Sequence, residues 1–435
     1  MVRYQIGLQS DLVFPKGNLK CQVKFFADDT SLFSLVSDPV LTASRLNSDL
    51  DLISKWAYQW KMSFNPDPLK PAEEIVFSHK ITKVVHPPLY FNGSLVKQVS
   101  SHKHLGLILD SKLSFAQHIN EKIQKGRKWI GIIKHLRSYL PVKSLEQIYK
   151  MHVRPHFDYC DIIYHVPIII NDTTRIQSLN CQMNVLESTQ YQAALAVTGA
   201  WKGSNTDKIY EELGWESLHH RRNFRRLSMY YKIVNNLTPD YLKAPLNVSA
   251  NHYSLRNSQN FNLPICRINK YKNSFYPDAL NLWNAMDPNV KNANSLSIFK
   301  STFLKIIRPK KKPIFDILDP DGTRLLFQLR VGLSPLKAHK YSHKFIDTPS
   351  DTCNCTLGAE TTLHFFIDCP LHRTHRSTLL NSINPLLIMN DLEDISNNDL
   401  VQLLLYGHDS LTYFENQLVI KATIKFIKDS NRFPT

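Results

Sequence analysis

Hydrophobic and polar positions change their spacing near residue 116, and this change predicts two kinds of structure. Up to that point, short apolar runs are separated by turn residues, as is typical of strands. The runs "CQVKFF" and "SLFSLV" (residues 21–26 and 31–36) predict two strands joined by "ADDT", a hairpin with acidic residues at its tip. The stretch "LYFNGSLV" (residues 89–96) predicts a second hairpin, because Asn-Gly favours a tight two-residue turn.

One helix is predicted between these two hairpins. Asp38 followed by Pro39 is typical of a helix start. The apolar residues that follow, at spacings of four and three, form a single face: Leu46, Leu50, Ile53, Ala57 and Trp60. Further strands are predicted at 73–78, 104–110 and 113–115, the last two extending the sheet. Residues 1–116 therefore predict an α+β domain in which an antiparallel sheet packs against a helix.

From His118 onward the periodicity is helical. The face predicted to be buried is made of isoleucines, and three lysines lie largely off it: Ile119, Ile123, Ile130 and Ile133, against Lys122, Lys125 and Lys128. A second helix over 144–153 runs into Pro155, which is expected to end or kink it. Residues 171–310 are expected to be mostly helical, with polar breaks at 198–207 and 235–240.

These patterns divide the chain into four regions. Residues 1–116 form the α+β part, 117–165 a helical region, 166–330 a mainly helical connector, and 331–435 a C-terminal region with clustered cysteines. The longest apolar runs, such as "VPIII" (166–170), are too short for a membrane span. Because the N-terminus has no secretory signal pattern, we expect an intracellular protein of the nucleus or cytoplasm.

The chain carries a net charge of +16 and has an isoelectric point near 9.4. Much of the excess lies in three clusters, "KIQKGRKWIGIIKHLR" (122–137), "HHRRNFRRLSMYYK" (219–232) and "RPKKK" (308–312). Such a balance fits either a solvated basic surface or a polyanionic partner, and clustering favours the partner. Aromatic residues inside the first two clusters suit base stacking beside phosphate contacts, so RNA and DNA are the predicted partners.

Three of the seven cysteines lie together near the C-terminus, in "CNCTLGAETTLHFFIDC". With no secretory signal, a disulfide framework is not expected and a metal site is the better candidate. The spacing C-x-C-x₈-H-x₄-C gives a donor set that suits tetrahedral zinc: Cys353, Cys355, His364 and Cys369. Gly358 would allow the tight turn, and His372 and His375 are spare ligands nearby. The alternative is buried free cysteines beside a core histidine.

Asp28 and Asp29 lie side by side at the tip of the first predicted hairpin. Aspartate is common in turns, so an exposed pair would carry no function. These two are flanked by Phe25, Phe26 and Phe33, which predicts a half-buried hairpin, and two desolvated carboxylates need a cation. Mg²⁺ is bound by one or two carboxylates together with substrate phosphates, and metal-assisted phosphoryl transfer is a natural use of such a pair.

"FADD" on a strand-turn-strand resembles the catalytic hairpin of reverse transcriptases of the non-LTR, LINE-type (jockey-like) retrotransposons. "KMSFNPDPLKPAEEIVFS" (61–78) resembles the segment after that hairpin, and "HPPLYFNGSLVKQVSSHKHLGLILDSKLSFAQHI" (86–119) resembles the primer-gripping region. The helices from residue 118 resemble the thumb, and "ALAVTGAWKGSNTDKIYEELGWESLHHRR" (194–222) resembles the helical region downstream. The resemblance implies an RNA-directed DNA polymerase with a partial palm at 1–116 and a thumb at 117–165. It also supports the zinc assignment, because a similar cysteine–histidine motif closes many of these proteins.

The same resemblance implies roles for individual residues. Asp28 would be the main ligand of Mg²⁺ (or Mn²⁺) and Asp29 its weaker neighbour. Lys70 matches a lysine that protonates departing pyrophosphate, a step that needs a general acid because the leaving group gains charge. The alternative for Lys70 is a solvated lysine in a loop between two prolines.

The family's first catalytic aspartate, on an earlier strand, has no counterpart here. Asp11 is the only acid before Asp28, and a helix crossing between two strands needs a dozen or more residues besides the strands. Asp11 more closely resembles the aspartate that follows this helix in the family. We therefore expect an N-terminally truncated reverse transcriptase that is inactive alone and would need the missing polymerase portion. The alternatives are a non-catalytic RNA/DNA-binding protein on the same scaffold and, less well supported, a C-terminal nuclease.

Overall fold

The computed structural model describes residues 2–5, 18–26, 29–62, 64, 72–82, 84–165, 177–243 and 261–433. Its backbone separates into two compact units, residues 1–120 and 121–435. Small sheets occupy the first unit and helices dominate the second, so the α+β class predicted from the sequence is confirmed. Among the helices in these ranges, none combines the length and apolar character that crossing a bilayer would require.

The first unit is built on a five-stranded sheet with the order β2-β3-β1-β4-β7. The strands in this unit are β1 Val2–Gln5, β2 Gln22–Phe26, β3 Asp29–Phe33, β4 Glu73–Glu74, β5 Tyr90–Phe91, β6 Ser94–Leu95, β7 Lys97–Gln98, β8 Ser101–His104 and β9 Leu107–Asp110. The pairs within this sheet are antiparallel except β4 with β7. The first predicted hairpin is confirmed, because β2 and β3 pair with Phe26 opposite Asp29.

Helix α1 spans Pro39–Gln59 and packs on this sheet through Leu32 and its own apolar face. The predicted start is confirmed: the carboxylate of Asp38 accepts hydrogen bonds from the N–H groups of Val40 and Leu41 at 2.8 and 3.1 Å. The predicted face is right except at Trp60, which lies beyond the helix end and is 52% exposed. Trp56 takes the buried position one turn earlier.

The second predicted hairpin is also confirmed. Strands β5 and β6 pair around Asn92 and Gly93, whose φ angles of 49° and 75° are those of a tight hairpin turn. The strand predicted at 73–78 is limited to β4, and β8 and β9 form a separate two-stranded sheet instead of extending the first.

No strand forms at 113–115. The carboxylate of Asp110 accepts hydrogen bonds from the N–H groups of Lys112, Ser114 and Phe115 at 3.0, 3.0 and 2.8 Å, which curls the chain into a turn. Leu113 and Phe115 take the left-handed conformation, with φ of 50° and 58°, and this excludes a strand.

Helix α2, Ala116–Leu136, has the predicted apolar face, since all four isoleucines are buried. Lys125 and Lys128 are exposed as expected, but Lys122 is 9% exposed and lies over the ring of Tyr159 at 5.3 Å. Gly126 permits the approach of Phe157, because a Cβ there would come within 2.7 Å of that ring.

The helix predicted before Pro155 does not end there. Helix α3 spans Val142–Ile148, a π-helical turn follows at Tyr149–Val153, and α4 continues through Arg154–Asp158. Proline cannot donate the next intrahelical hydrogen bond and clashes with the preceding turn. The wider π turn places Pro155 in the first turn of α4, where its missing N–H leaves no hydrogen bond unmade.

The remaining helices occupy much of the described connector, as predicted, and also much of the C-terminal part, for which no helix was predicted. They are α5 Asp161–Tyr164, α6 Gln177–Thr198, α7 Thr206–Leu213, α8 Leu218–Val234, α9 Asn269–Lys272, α10 Phe275–Asn284, α11 Pro288–Lys291, α12 Leu296–Ile307, α13 Pro320–Arg330, α14 Lys337–Ser342, α15 Arg373–Met389, α16 Asn397–Tyr406 and α17 Tyr413–Asp429. Tyr231, Trp283 and Phe299 form an aromatic core among α8, α10 and α12. A second core joins α13 and α15–α17 around Phe365, Phe366 and Phe426.

Candidate metal centre

The four predicted zinc ligands converge. The donor atoms of Cys353, Cys355, His364 and Cys369 all lie within 4.8 Å of one another. The sulfurs of Cys353 and Cys369 are 3.7 Å apart, and the sulfur of Cys355 is 3.2 Å from Nε2 of His364. Among the described residues, no other group of three or more histidine, cysteine or acidic side chains is gathered closely enough to hold a metal.

A tight loop brings the first two cysteines together. The N–H of Cys353 donates to the carbonyl of Gly358 at 2.8 Å, and the N–H of Thr356 donates to the carbonyl of Cys353 at 2.9 Å. A β-bridge between Thr352 and Ala359 closes the loop. The expectation for Gly358 was wrong, because the left-handed residue of this turn is Thr356, with φ of 65°, and a Cβ on Gly358 would meet open space.

A single π-helical turn, His364–Asp368, positions the other two ligands. The N–H of Cys369 donates to the carbonyl of His364 at 2.8 Å, so both side chains emerge on the same side of the turn. The guanidinium of Arg376 donates to the carbonyls of Phe366 and Cys369 at 2.6 and 2.7 Å and fixes the end of this turn. His372 is not a spare ligand, since its ring packs edge-on against Phe365 in the core.

The donor set fits a zinc ion. At ordinary bond lengths, tetrahedral zinc needs sulfur–sulfur distances of about 3.8 Å and sulfur–nitrogen distances of about 3.5 Å, close to those found. Cys353 and Cys369 are buried, His364 is 7% exposed and Cys355 is partly exposed, so three of the four ligands are shielded from solvent. Burial raises the pKa of the Cys353 thiol to about 12, so ionisation of this ligand would be coupled to metal binding.

The acidic hairpin presents Asp29 at the first position of β3, 8% exposed. Because side chains alternate along a strand, Asp29 points to the sheet face opposite Leu32 and therefore away from α1. The hairpin was expected to be half-buried: Leu32 is buried and Phe25 and Phe33 are partly buried, whereas Phe26 is 62% exposed. Asp28 and Lys70, the other predicted catalytic residues, lie outside the described residues.

The basic cluster at 219–232 is largely neutralised inside the protein. Arg221 makes hydrogen-bonded ion pairs with Asp158 at 2.6 Å and with Glu216 at 2.7 Å. Arg225 binds Asp161 at 2.9 Å, and Arg226 is fully buried in an ion pair with Asp278. The prediction that this cluster contacts nucleic acid is therefore not supported by its geometry. Its tyrosines are buried as well and cannot stack on bases.

Helix α2 carries several exposed cations of the first basic cluster. Arg127, Lys128 and Lys134 are exposed on this helix, while Lys125 pairs with Glu121 at 2.6 Å. Trp129 stacks on His152, with ring centroids 4.1 Å apart, so the aromatic residue of this cluster is already engaged. Helix α2 is thus a part of the predicted basic surface that remains open to a polyanion.

Three curated proteins show what this chain is similar to. The RNA-directed DNA polymerase from mobile element jockey of Drosophila funebris is 28% identical over 144 residues, 32% of this chain and 15% of the relative. The jockey polymerase of Drosophila melanogaster is 26% identical over the same shares. The probable RNA-directed DNA polymerase from transposon X-element of Drosophila melanogaster is 26% identical over 161 residues, 35% of this chain and 16% of the relative.

The matched relatives are polymerases of non-LTR mobile elements. The resemblance inferred from the sequence is therefore confirmed. The chain spans about 15% of the length of the jockey relatives it matches. No family model matches the chain, and no solved structure matches it.

The carboxylates that neutralise the basic clusters were missed from the sequence. Asp158 and Asp161 lie more than 60 residues before the arginines of α8 that they bind. Glu146 lies 165 residues before its partner Lys311. No local pattern reports pairs so far apart, and only the three-dimensional contacts reveal them.

Proposed function

We propose that this chain is part of the RNA-directed DNA polymerase of a jockey-like non-LTR retrotransposon and that it binds RNA and DNA. The observation that carries this proposal is the similarity to the jockey and X-element polymerases. The antiparallel hairpin with Asp29 at the start of its second strand supports it, because a polymerase hairpin needs carboxylates at this turn.

In this proposal the four regions keep the roles that the resemblance implies. Residues 1–116 are a partial palm, 117–165 a thumb, 166–330 a helical connector, and 331–435 a C-terminal region organised by a zinc knuckle. The sheet backed by α1 supports the first assignment, and the long basic helix α2 supports the second.

Asp28 and Asp29 are the proposed ligands of catalytic Mg²⁺ (or Mn²⁺), and Lys70 the proposed general acid. Two magnesium ions bring four positive charges, and the hairpin offers two carboxylates. Asp11 is the only other acid up to this point in the chain. We therefore propose that the chain by itself does not extend a primer. The alternative is a nucleic-acid-binding protein that keeps this scaffold without catalysis.

The proposed nucleic-acid interface is the exposed face of α2. Its test is fluorescence anisotropy of the full chain with a labelled RNA–DNA primer–template at salt concentrations from about 50 to 200 mM, a range over which phosphate contacts lose most of their affinity. The variant Arg127→Ala/Lys128→Ala removes two exposed cations from α2. The matched control Lys421→Ala/Lys425→Ala removes two exposed lysines from α17.

Each phosphate contact contributes about 0.9 to the slope of log affinity against log salt on a duplex. We expect the α2 variant to lower this slope by about 1–2 and the α17 control to leave it unchanged. A flat salt response of the unaltered chain would contradict nucleic-acid binding itself. An equal loss in both variants would contradict the assignment to α2.

Zinc is the proposed structural metal of the C-terminal region. Cys353, Cys355, His364 and Cys369 would hold it, with no open position for substrate, as in zinc sites that stabilise a fold. The ion would cross-link the loop around Thr356 to the turn that packs Phe365 and Phe366 into the core.

A further inference from the structure

A pocket of about 360 Å³ opens in the second unit, outside the sites described above. Its walls come from the α3 segment and its π turn, from α6, from the loop after α7, from the start of α8 and from the segment after α12. Its lining residues include five cations and two carboxylates: Lys150, Arg154, Arg221, Arg308 and Lys311, with Glu146 and Glu216. The volume lies within the range of small-molecule sites.

The carboxylates lie deep and the cations lie toward solvent. The side chains of Glu146 and Glu216 are 4% and 6% exposed, whereas those of Lys150, Lys311 and Arg308 are 41%, 43% and 44% exposed. Glu146 binds Lys150 and Lys311, each at 2.6 Å, and Glu216 binds Arg221 and Arg308. Each buried acid is therefore shared by two cations.

The deep wall is rigid. The rings of Tyr149 and Trp215 stack with centroids 3.9 Å apart, and the indole N–H of Trp215 donates to Glu146 at 3.2 Å. The hydroxyl of Tyr149 donates to Gln190 at 2.7 Å, and the amide of Gln190 donates to the carbonyl of Glu216 at 3.0 Å. The carboxylate of Glu146 and the backbone at Glu216 are thus held in place.

The pocket keeps an excess of positive charge. Asp158, which binds Arg221 at 2.6 Å and lies 4.0 Å from Arg154, is the third carboxylate of the network. Five cations against three carboxylates leave two positive charges. Burial works to raise the pKa of Glu146, but its hydrogen bonds with Lys150 and Lys311 outweigh burial and lower the pKa. Burial likewise works to raise the pKa of Glu216, but hydrogen bonds with Arg308 and Arg221 outweigh burial and lower the pKa, so Glu146 and Glu216 are ionised at neutral pH.

We propose that this pocket binds a phosphate monoester, the terminal 5′-phosphate of a nucleic-acid strand or of a free nucleotide. A monoester carries nearly two negative charges at neutral pH, which matches the excess, whereas an internal phosphodiester carries one. Arginine and lysine together suit its oxygens, arginine through paired N–H donors and lysine as a point charge. Binding of a strand's 5′-phosphate rests on the proposed nucleic-acid function, whereas binding of a free nucleotide is independent of it.

The experiment compares two single-stranded oligonucleotides of one sequence, with a 5′-phosphate or a 5′-hydroxyl, by anisotropy with the full chain. A second arm measures binding of adenosine 5′-monophosphate against adenosine by calorimetry. The variant Arg308→Ala/Lys311→Ala opens the rim while leaving Glu216 with Arg221 and Glu146 with Lys150. Arg308→Lys/Lys311→Arg conserves the charge, and Lys421→Ala/Lys425→Ala is the control on α17.

We expect the unaltered chain to prefer the 5′-phosphate by about tenfold or more, as one lost charged hydrogen bond would predict. The alanine variant should lose this preference, and the charge-conserving and α17 variants should keep it. Binding of the monophosphate without a strand preference would assign the pocket to free nucleotides. If the unaltered chain binds both oligonucleotides equally and does not bind the monophosphate, the pocket inference is wrong while nucleic-acid binding stands.

Discussion

Replacing one thiolate of the Cys353–Cys369 cluster should strongly weaken zinc binding. Cys369 is fully buried, and its sulfur lies 3.7 Å from that of Cys353, about 0.1 Å short of the spacing of tetrahedral zinc. The distance between Cys355 and His364, 3.2 Å, is about 0.3 Å short. These two distances are close to those of a zinc site, and all four donor atoms lie within 4.8 Å of one another, so the ligands are gathered before the ion binds.

The expected loss of zinc affinity can be estimated from the ligand set. Structural zinc contributes about 10–16 kcal/mol of apparent binding free energy in small zinc domains at neutral pH. A serine hydroxyl is a much poorer zinc ligand than a thiolate, and even second-shell changes cost about 10–100-fold in affinity. We therefore expect Cys369→Ser to weaken zinc binding by more than about 100-fold. Chelation should loosen α15 and α17, which share a core with the turn that carries His364.

The assay is metal analysis of the tag-free chain by mass spectrometry, with hydrogen exchange of α15 and α17 before and after chelation. Cys266→Ser is the matched control, since it is the same substitution at a cysteine outside the cluster. We expect about one zinc per chain in the unaltered and control proteins. If the unaltered chain holds no more zinc than Cys369→Ser, these are core cysteines and the metal assignment is wrong.

Three further outcomes test other parts of the structure. Asp278→Ala should destabilise the chain by about 3–5 kcal/mol in urea denaturation, because it leaves the charge of Arg226 buried without its carboxylate. The double variant Arg226→Met/Asp278→Leu should recover most of this loss. A loss below about 1 kcal/mol in Asp278→Ala would contradict the importance of this ion pair. Burial, His220 and Arg222 lower the pKa of His219 to about 4, so its contribution to stability is complete above about pH 6.5 and is lost as pH falls through 4. Between pH 7 and 4, the free energy of unfolding of His219→Gln should therefore fall by about 1–2 kcal/mol less than that of the unaltered chain, after allowing for partial exposure of the ring. Urea midpoints of the two proteins that fall equally with pH would refute this. Primer extension by the purified chain with Mg²⁺ or Mn²⁺ should stay at background; extension that Asp28→Ala abolishes would show that another residue completes the metal site.

Local chemistry made the first unit predictable. Asp38 and Pro39 set the start of α1, and Asn92-Gly93 set the second hairpin, because each acts within a few residues of itself. The cysteine spacing was equally local, and it predicted which four side chains meet. The turn at 113–115 was missed because the carboxylate of Asp110 competes with strand pairing for the backbone N–H groups.

Two other outcomes concern the places where helices end or distort. Pro155 was expected to end or kink a helix; a π turn distorts the helix before it, and the chain continues so that Phe157 reaches Gly126 of α2. Trp60 has apolar character and helical spacing, yet the helix ends before it. The end of α1 is local: Lys61 takes the left-handed conformation, with φ of 53°, and the N–H of Met62 donates to the carbonyl of Ala57 at 2.9 Å. Hydrophobic periodicity does not report such a cap.

The basic clusters show another limit of sequence-based prediction, because their ion-pair partners lie far away in the chain. The clusters at 219–232 and 308–312 look equally suited to a polyanion, but carboxylates from 146–161 and 211–216 neutralise most of their cations. A cation that forms an ion pair inside the protein is less available to a polyanion. A run of basic residues therefore predicts a binding surface only from the cations that such ion pairs leave over. On α2, Arg127, Lys128 and Lys134 are exposed. In the pocket around Glu146 and Glu216, the cations outnumber the carboxylates by two. This excess of two positive charges is the reason for predicting a ligand with nearly two negative charges.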